Sequence, residues 1–369
     1  MKFDKLNIRK TSRQVRRFTV VFAILALSMF CQKKDNKDDN AIGQFLFWQT
    51  ILAPATSNLP TNASCLIIAN GAIIGNSDAS YASWTGERRG SFFAAKNTAG
   101  GFVYGQDGVY DGTNWFLGDA SGIVKSTTAG SWQVVLGGLD YFYGISASGG
   151  TTIAAGRGGS VYRSTDGTSA SNISPSGISS ITLSTVAVGN GKWVMGGNMA
   201  SQTAFNSSVL YSADSGTTWL ASTNNKAMAV TKIIFANSLF VAVGGSGIIS
   251  TSPDGITWTI RTAEDSSISL LDIAYGNGIF VAVGNSSATS YHFTSSDGIT
   301  WTRSGRVALR SIAFDTVNSK FVGVSSSSFS DSAFSQVFTS SDGTNWSNAN
   351  ASFGGVSTSS VYLGKIRCK

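Results

Sequence analysis

The chain has 369 residues, of which 42% are hydrophobic and 13% are charged, and it contains 42 glycines. This composition is typical of a β-rich protein exported from the cytoplasm and disfavours a helical one. The formal net charge is +7, but without residues 1–30 the chain has 20 basic and 19 acidic residues, a net charge of +1. Because the basic excess lies in that leading segment, the main support for nucleic-acid binding is lost, and we expect no nucleic-acid partner.

Residues 1–30 are predicted to form a signal peptide. Basic residues precede an apolar run from Phe18 to Phe30, and this run is shorter than the roughly 20 residues needed to span a bilayer as a helix. Cys31 follows directly, so the layout resembles a bacterial lipoprotein signal, in which that cysteine is acylated. Phe30 departs from the small residue that is usual before it, and an ordinary secretory signal or an uncleaved anchor are the alternatives.

Residues 31–62 are predicted to form a tether between the lipid and the folded domain. The stretch from Gln32 to Asn40 is charged and has no apolar residue, as expected of a solvated segment. Residues 41–53 are preceded by acidic residues and followed by a proline, and these flanks predict a short helix over this segment. This helix either packs on the folded domain or rests at the membrane interface. An acylated Cys31 would hold the protein at a membrane of the bacterial cell envelope, in the periplasm or at the outer-membrane or cell surface.

A short apolar phrase recurs through residues 63–369, where we place the folded domain. Tight-turn signals such as Asn-Gly precede most copies, and no helical period is present. From Gly75 to Ser325 the mean spacing is about 42 residues, which is the period of a four-stranded propeller blade. We therefore predict an all-β protein, a β-propeller of four-stranded antiparallel blades, with seven blades favoured over six or eight. The copies are AIIG, WFLG, IAAG, WVMGG, FVAVG (twice) and FVGVS.

The ends of the folded domain are predicted to meet, because an open propeller would expose strand edges. The tail after Ala351 contains SSVYLG, which is similar to the third-strand sequence GSVYRS, so we expect the tail to complete the degenerate first blade. Cys65 lies in the predicted first strand and Cys368 next to the last residue. In an oxidising compartment a disulfide between them would close the ring. Two unpaired buried cysteines are the alternative.

A second phrase, Ser-x-Asp with a following glycine and tryptophan, recurs at the predicted turn between the third and fourth strands of a blade. These copies resemble the Asp-box of the BNR-like, sialidase-type β-propellers, in which the motif lies on the outer rim. We predict a structural role: the aspartate accepts backbone N–H groups of its own turn, the glycine supplies a left-handed conformation, and the tryptophan covers the turn. The residues are Ser212, Asp214, Gly216, Trp219, Ser252, Asp254, Gly255, Trp258, Ser295, Asp297, Gly298, Trp301, Ser340, Asp342, Gly343, Trp346 and, in a copy without tryptophan, Asp166.

Few residues are candidates for catalysis. His292 is the only histidine, so a histidine-based metal site or a Ser-His-Asp triad is disfavoured, and we expect a surface or core position on a third strand. Glu87, Arg88 and Arg89 form the only cluster in the sequence that we interpret as able to host an anion, and a solvated loop between strands is the favoured explanation for them. The sialidase resemblance would also imply an Arg-Ile-Pro motif, which the chain lacks. We therefore predict no catalytic residue, metal or cofactor.

The resemblance extends to non-enzymatic Asp-box propellers, and it favours a binding function. We predict a monomeric, membrane-anchored, extracytoplasmic propeller that acts as a non-catalytic scaffold for an unidentified protein or glycan. A sialidase-like glycoside hydrolase is the main alternative, and a structural envelope protein without a dedicated partner is the other. The lining of the central channel bears on this choice: serine, glycine and alanine alone would favour the scaffold, whereas charged or aromatic side chains would indicate a site.

Overall fold

The structure is a computed structural model, and it describes most of the predicted folded domain. The predicted signal peptide, Cys31, the tether and the helix predicted over 41–53 lie outside the described residues. Within these residues no helix is long and apolar enough to cross a membrane. The described residues are 63–69, 72–76, 79–81, 83–88, 107–119, 122–127, 132–137, 141–179, 181–198, 207–224, 229–262, 266–286, 289–325, 336–354 and 363–369.

Twenty-nine short β-strands and one 3-10 turn make up the secondary structure of the described residues. The first fifteen strands are β1 (Cys65–Ala69), β2 (Ala72–Asn76), β3 (Ser83–Arg88), β4 (Asp107–Tyr110), β5 (Trp115–Asp119), β6 (Gly122–Ser126), β7 (Gln133–Gly137), β8 (Phe142–Ser148), β9 (Thr151–Gly156), β10 (Val161–Ser164), β11 (Ser171–Asn172), β12 (Thr182–Gly189), β13 (Lys192–Asn198), β14 (Val209–Ser212) and β15 (Leu220–Ala221). The remaining elements are β16 (Val230–Ala236), β17 (Leu239–Gly244), the 3-10 turn (Gly245–Gly247), β18 (Ile248–Ser252), β19 (Thr259–Thr262), β20 (Ser269–Gly276), β21 (Ile279–Ser286), β22 (Thr289–Ser295), β23 (Thr302–Gly305), β24 (Ser311–Asp315), β25 (Lys320–Val324), β26 (Val337–Ser340), β27 (Ser347–Asn348), β28 (Ser352–Gly354) and β29 (Leu363–Cys368).

These strands form seven sheets, so the predicted seven-bladed, all-β fold is confirmed. Six sheets each contain four consecutive antiparallel strands: β4 to β7, β8 to β11, β12 to β15, β16 to β19, β20 to β23 and β24 to β27. Two-residue hairpins join first and second strands where the sequence has Asn-Gly: Asn277 and Gly278 both have positive φ, +49° and +79°. Asparagine and glycine tolerate this conformation, and the resulting turn matches the twist of the paired strands.

The seventh sheet, which we call the closing blade, joins both ends of the described chain. Its strand order is β28-β3-β2-β1-β29, with β28 parallel to β3 and the other pairs antiparallel. The tail therefore completes this blade as expected, but it supplies the innermost strand and not the third strand that its similarity to GSVYRS suggested. Cys65 lies on the second strand, and AIIG on the third. Inner and second strands are both apolar and buried, so the sequence pattern does not distinguish their positions.

Seven strands line the inside of the ring, and we call them the inner strands: β4, β8, β12, β16, β20, β24 and β29. Each contacts the next in this order, and β29 contacts β4, which closes the circle. Between blades the second strands pack with large apolar side chains; Phe240 and Trp258, for example, lie in one cluster with Val194 of the preceding blade. Closure leaves no inner edge exposed.

The recurring Ser-Asp-Gly phrases lie at turns between third and fourth strands. At Asp297, Oδ1 accepts the backbone N–H groups of Ile299 and Thr300, both at 2.8 Å. Gly298 has a φ of +75°, a conformation that residues with a Cβ rarely adopt. These backbone hydrogen bonds stabilise the ionised carboxylate and hold the pKa of Asp297 at about 2, and a similar bond from Thr218 does so at Asp214. The same turn geometry occurs at Asp166, Asp254 and Asp342.

Two of the turn tryptophans differ in their hydrogen bonding, which gives a matched test. The indole N–H of Trp301 donates to the carbonyl of Gly298 at 2.9 Å, whereas that of Trp219 is buried without a hydrogen-bond partner among the described residues. Trp301→Phe is therefore expected to destabilise the protein by about 1 kcal/mol more than Trp219→Phe, since both remove similar volume but only one removes a bond. Urea unfolding of the two variants measures this difference, and equal losses would contradict it.

Candidate binding site in the central cavity

One residue of each inner strand occupies an equivalent position, which we call the axial position. Each such residue pairs with an equivalent residue of the neighbouring second strand, as Lys232 does with Val243 and Asp272 with Val283. The backbone N–H of the next residue donates to the axial side chain of the preceding blade at three seams, for example from Ile233 to Thr185 at 3.0 Å. The axial residues are Asp107, Gly144, Thr185, Lys232, Asp272, Ser311 and Lys365.

Charged axial residues meet around Arg367, which lies two residues beyond Lys365 on β29 and therefore on the same face of that strand. The Nε of Arg367 lies 2.6 Å from Oδ1 of Asp107, and its Nη1 lies 3.0 Å from Oδ2 of Asp272. Lys232 Nζ lies 2.6 Å from the other oxygen of Asp107, and Lys365 Nζ 3.9 Å from Asp272. We call these five residues the axial cluster. Four inner strands, distant in sequence, contribute to it.

Burial makes the electrostatics of the axial cluster strong. The side chains of Asp107 and Asp272 are 2% and 0% exposed, and those of Lys232 and Arg367 are 11% and 12% exposed. Burial alone would raise the pKa of both carboxyls, but the neighbouring cations, Arg367 foremost, outweigh it and hold both below the usual range. Both aspartates are thus held as anions. Their negative charges outweigh the effect of burial on Arg367 and raise the pKa of its guanidinium.

The electrostatic environment of Lys232 differs from that of Asp107, its ion-pair partner. Burial lowers its pKa, the positive charge of Arg367 lowers it further, and Asp107 and Asp272 only partly oppose this. The pair is asymmetric because Asp107 has two cations beside it, whereas Lys232 has one direct carboxylate and a like charge nearby. We therefore expect Asp107 to remain ionised. A further negative charge nearby would favour the charged form of Lys232.

A cavity of about 320 Å³ lies on the axis beside this cluster. Residues from all seven inner strands line it, and Lys232 and Arg367 are its cationic members. Most of the other residues that line it have apolar side chains, among them the half-buried rings of Phe235, Tyr275 and Phe314. The channel is thus not lined by serine, glycine and alanine alone. An apolar hollow with a few convergent polar groups has the character of a ligand site.

A disulfide anchors the end of β29, the strand that carries Lys365 and Arg367 of the axial cluster. Cys65 and Cys368 are bonded across the β1–β29 register, with their Cα atoms 4.0 Å apart and a sequence separation of 303. Because Cys368 directly follows Arg367, the disulfide fixes the strand segment that carries the guanidinium. Cys65 is fully buried.

A buried carboxylate also joins the closing blade to β24. Oδ2 of Asp315 accepts hydrogen bonds from the hydroxyls of Ser64 and Tyr81 and from Nδ2 of Asn318. Burial would raise the pKa of Asp315, but these bonds outweigh it and lower the pKa, while burial and the neighbouring carboxylate raise the pKa of Tyr81. Asp315 therefore has a structural role at the seam where the ring closes.

The charged residues that the sequence singled out as able to host an anion do not belong to the axial cluster. Glu87 and Arg88 lie on β3, away from the inner strands, and Arg89 lies outside the described residues. The axial cluster was missed, although each of Lys232 and Asp272 interrupts an otherwise apolar strand at the same place in its repeat. Aligning the repeats on that position would have found them. Arg367 could not be found in this way, because its strand departs from the repeat.

His292, expected on a third strand, lies on β22 and is 2% exposed. Its Nε2 lies 3.2 Å from the carbonyl oxygen of Thr344 and donates to it, which leaves Nδ1 unprotonated in the neutral ring. Nδ1 is buried and has no hydrogen-bond partner among the described residues. Burial lowers the pKa of His292, while the Thr344 carbonyl and Asp342 partly oppose this. His292 therefore belongs to the core and is disfavoured in its charged form.

Neutral His292 predicts a pH-dependent stability. Its contribution is present above pH about 6.5 and is lost as the pH falls below that value, because the unfolded chain takes up the proton first. In His292→Gln the free energy of unfolding is expected to stay flatter between about pH 7.5 and pH 5, where no other side chain with an ordinary pKa titrates. Urea unfolding across this range measures the difference, and an identical decline in the variant would contradict the prediction.

Fold and cavity together define the protein as a seven-bladed β-propeller with a charged axial cluster. No protein-family model matches the chain, and no curated protein matches it.

Solved structures with a similar fold do exist. A structure of YCF48 bound to D1 peptide is 17% identical with a TM-score of 0.46, and the match covers 67% of this chain and 86% of that one. The Pan2 WD40 domain of Neurospora crassa is 9% identical, with a TM-score of 0.48 and coverages of 72% and 79%. The GH74 xyloglucanase of Xanthomonas campestris is 14% identical, with a TM-score of 0.49 and coverages of 67% and 47%. At these identities the likeness concerns the fold alone.

Proposed function

We propose that the protein is a non-catalytic binding module, held at a membrane of the bacterial cell envelope, whose central cavity receives part of a protein or glycan ligand. The observation that carries this proposal is the cavity itself: all seven inner strands line it, and Lys232 and Arg367 are placed at its edge by buried ion pairs. Side chains fixed in this way need little reorganisation when a ligand arrives, which favours binding.

The protonation states of the cluster support binding over glycoside hydrolysis. Hydrolysis by a carboxyl pair requires one carboxyl that is protonated near neutral pH, and its pKa must therefore be raised. Asp107 and Asp272 both have lowered pKa values, and each is ion-paired with Arg367. The other recurring aspartates, such as Asp297, are bonded within their own turns. In the proposed function, the aspartates of these Asp-box-like turns therefore have a structural role.

Membrane attachment in this proposal rests on Cys31 and the signal-like residues 1–30 before it. In cells, Cys31→Ser is expected to move the protein from the membrane fraction to the soluble fraction and to abolish incorporation of labelled fatty acid. Cys65→Ser is the matched control and should keep the label. A Cys31→Ser protein that is still lipid-labelled would overturn the lipoprotein assignment.

The binding function is tested with glycan and peptide arrays probed by two variants. Ala274→Phe fills the cavity from an inner strand, and Leu220→Phe changes an exposed residue on an outer strand as control. Ligands bound by the unmodified protein should be lost only with Ala274→Phe, and binding that survives would place the site elsewhere. Turnover of fluorogenic glycosides that is lost in Asp272→Asn or Glu87→Gln would instead support the sialidase-like alternative.

A further inference from the structure

We infer that the central cavity binds a carboxylate carried by an apolar group, with Lys232 and Arg367 as its partners. This inference rests on the proposed binding function and names the chemical class of its ligand. It follows from three features of the described residues: the charge balance of the axial cluster, an unused donor of Arg367, and the composition of the cavity wall.

The axial cluster carries more positive than negative charge. Asp107 and Asp272 supply two negative charges, whereas Lys232, Lys365 and Arg367 supply three positive ones. Lys232 has Asp107 as its ion-pair partner, Arg367 pairs with both Asp107 and Asp272, and both cations are nearly buried. A buried charge without a counter-charge is strongly disfavoured in a low-dielectric interior. One further anion beside Lys232 would balance the cluster.

Arg367 retains a hydrogen-bond donor that the cluster does not use. Its Nε is bonded to Asp107, and its Nη1 to Asp272 and to the carbonyl oxygen of Ile366. Its Nη2 is buried and has no hydrogen-bond partner among the described residues. Buried polar groups in proteins are nearly always bonded, so an orphaned guanidinium nitrogen on a residue that lines a cavity indicates a missing acceptor. A carboxylate oxygen is the acceptor that arginine binds most strongly in proteins, together with phosphate.

The cavity wall determines what carries this carboxylate. Beyond the two cations the lining is mainly isoleucine, valine and alanine with the rings of Phe235, Tyr275 and Phe314, and Ser146 is one of its few hydroxyl groups. A sugar acid would bury several hydroxyls without enough partners, at a cost for each. An aliphatic side chain or acid would instead bury apolar surface. The wall therefore favours an apolar carboxylate, such as the C-terminal residue of a peptide, over an acidic sugar.

Isothermal titration calorimetry of the purified protein with 4-methylpentanoate, its neutral amide and glucuronate tests the inference. The acid should bind at least about tenfold more tightly than the amide or glucuronate, since a charge-assisted bond to a buried cation accounts for about 1.4 kcal/mol or more. Lys232→Met removes one cation but leaves Asp107 paired with Arg367, and it should weaken binding of the acid by a similar factor. Lys192→Met, on a hairpin away from the cavity, is the control and should bind like the unmodified protein.

Each outcome has a distinct meaning. Equal binding of acid and amide, tighter binding of glucuronate, or unchanged binding by Lys232→Met would overturn the inference. If no probe binds while an array ligand still depends on the cavity, the binding function stands and the carboxylate inference falls. Turnover of a glycoside would overturn the binding function itself.

Discussion

Arg367→Met is expected to destabilise the propeller by about 3–5 kcal/mol, because it leaves two buried carboxylates with fewer counter-charges. As direct ion-pair partners among the described residues, Asp272 would retain only Lys365, at 3.9 Å, and Asp107 only Lys232. The free energy of unfolding in urea at neutral pH measures the loss. Lowered pKa values at both aspartates mean that their stabilisation is present above about pH 4 and is lost as the pH falls below it. The variant should therefore show a weaker decline in acid than the unmodified protein.

Two comparisons make this prediction specific. Arg306→Met removes an exposed arginine and should change stability by less than about 0.5 kcal/mol. Adding Asp272→Asn to Arg367→Met should recover part of the loss, because the uncompensated charge disappears, and the double-mutant cycle then gives the coupling between the two residues. A loss below about 1 kcal/mol for Arg367→Met would show that the cluster does not hold the inner strands together.

Replacing Cys65 and Cys368 together with alanine is expected to cost about 3–5 kcal/mol. The disulfide closes a loop that includes nearly the whole folded domain, because the cysteines are separated by 303 positions in sequence. Without it the unfolded chain gains the entropy of free ends, and β29 is held by its pairing with β1, by its packing against β24 and β4 and by the axial cluster. Thermal and urea unfolding of the double variant measure the effect.

The reduced unmodified protein is the natural control for the double variant. It should lose a similar amount of stability, and reduction should have no effect on the double variant itself. Equal stability of the oxidised protein and the double variant would mean that the crosslink does not restrict the unfolded state. Non-reduced peptide mapping provides the direct chemical check, and finding both thiols free in the exported protein would contradict the bond.

Blade number and the four-stranded plan were predictable because their signals are local. The recurring FVAVG-type strands, the Asn-Gly hairpins and the Ser-Asp-Gly turns each specify a few neighbouring residues. The composition of the closing blade was not predictable in the same way. Strand β29 and strand β1 are brought together across the whole chain, and β29 lies in a tail that lacks the repeat. Neither periodicity nor turn chemistry contains information on which of them lies at the axis.

The candidate site was less accessible to sequence reasoning than the fold. Asp107, Lys232 and Asp272 are separated by many residues and meet only because their inner strands converge on the axis; Asp107 and Lys232 come from blades that are not neighbours in the ring. Arg367 lies in a tail that lacks the repeat, next to Cys368, which was considered only as a disulfide partner. Single charged residues inside apolar strands were the available signal. Their meaning depends on the radial arrangement of the blades, which only the structure shows.

The placement of Arg367 at the centre of the axial cluster is tested most directly by a crystal structure of the purified, oxidised protein grown with 4-methylpentanoate at neutral pH. The expected electron density shows β29 as the innermost strand of the closing blade and the guanidinium between Asp107 and Asp272. A carboxylate oxygen is expected within hydrogen-bond distance of Nη2. A map with Arg367 directed to solvent, or with β29 unpaired from β1, would contradict both the closed ring and the site built on it.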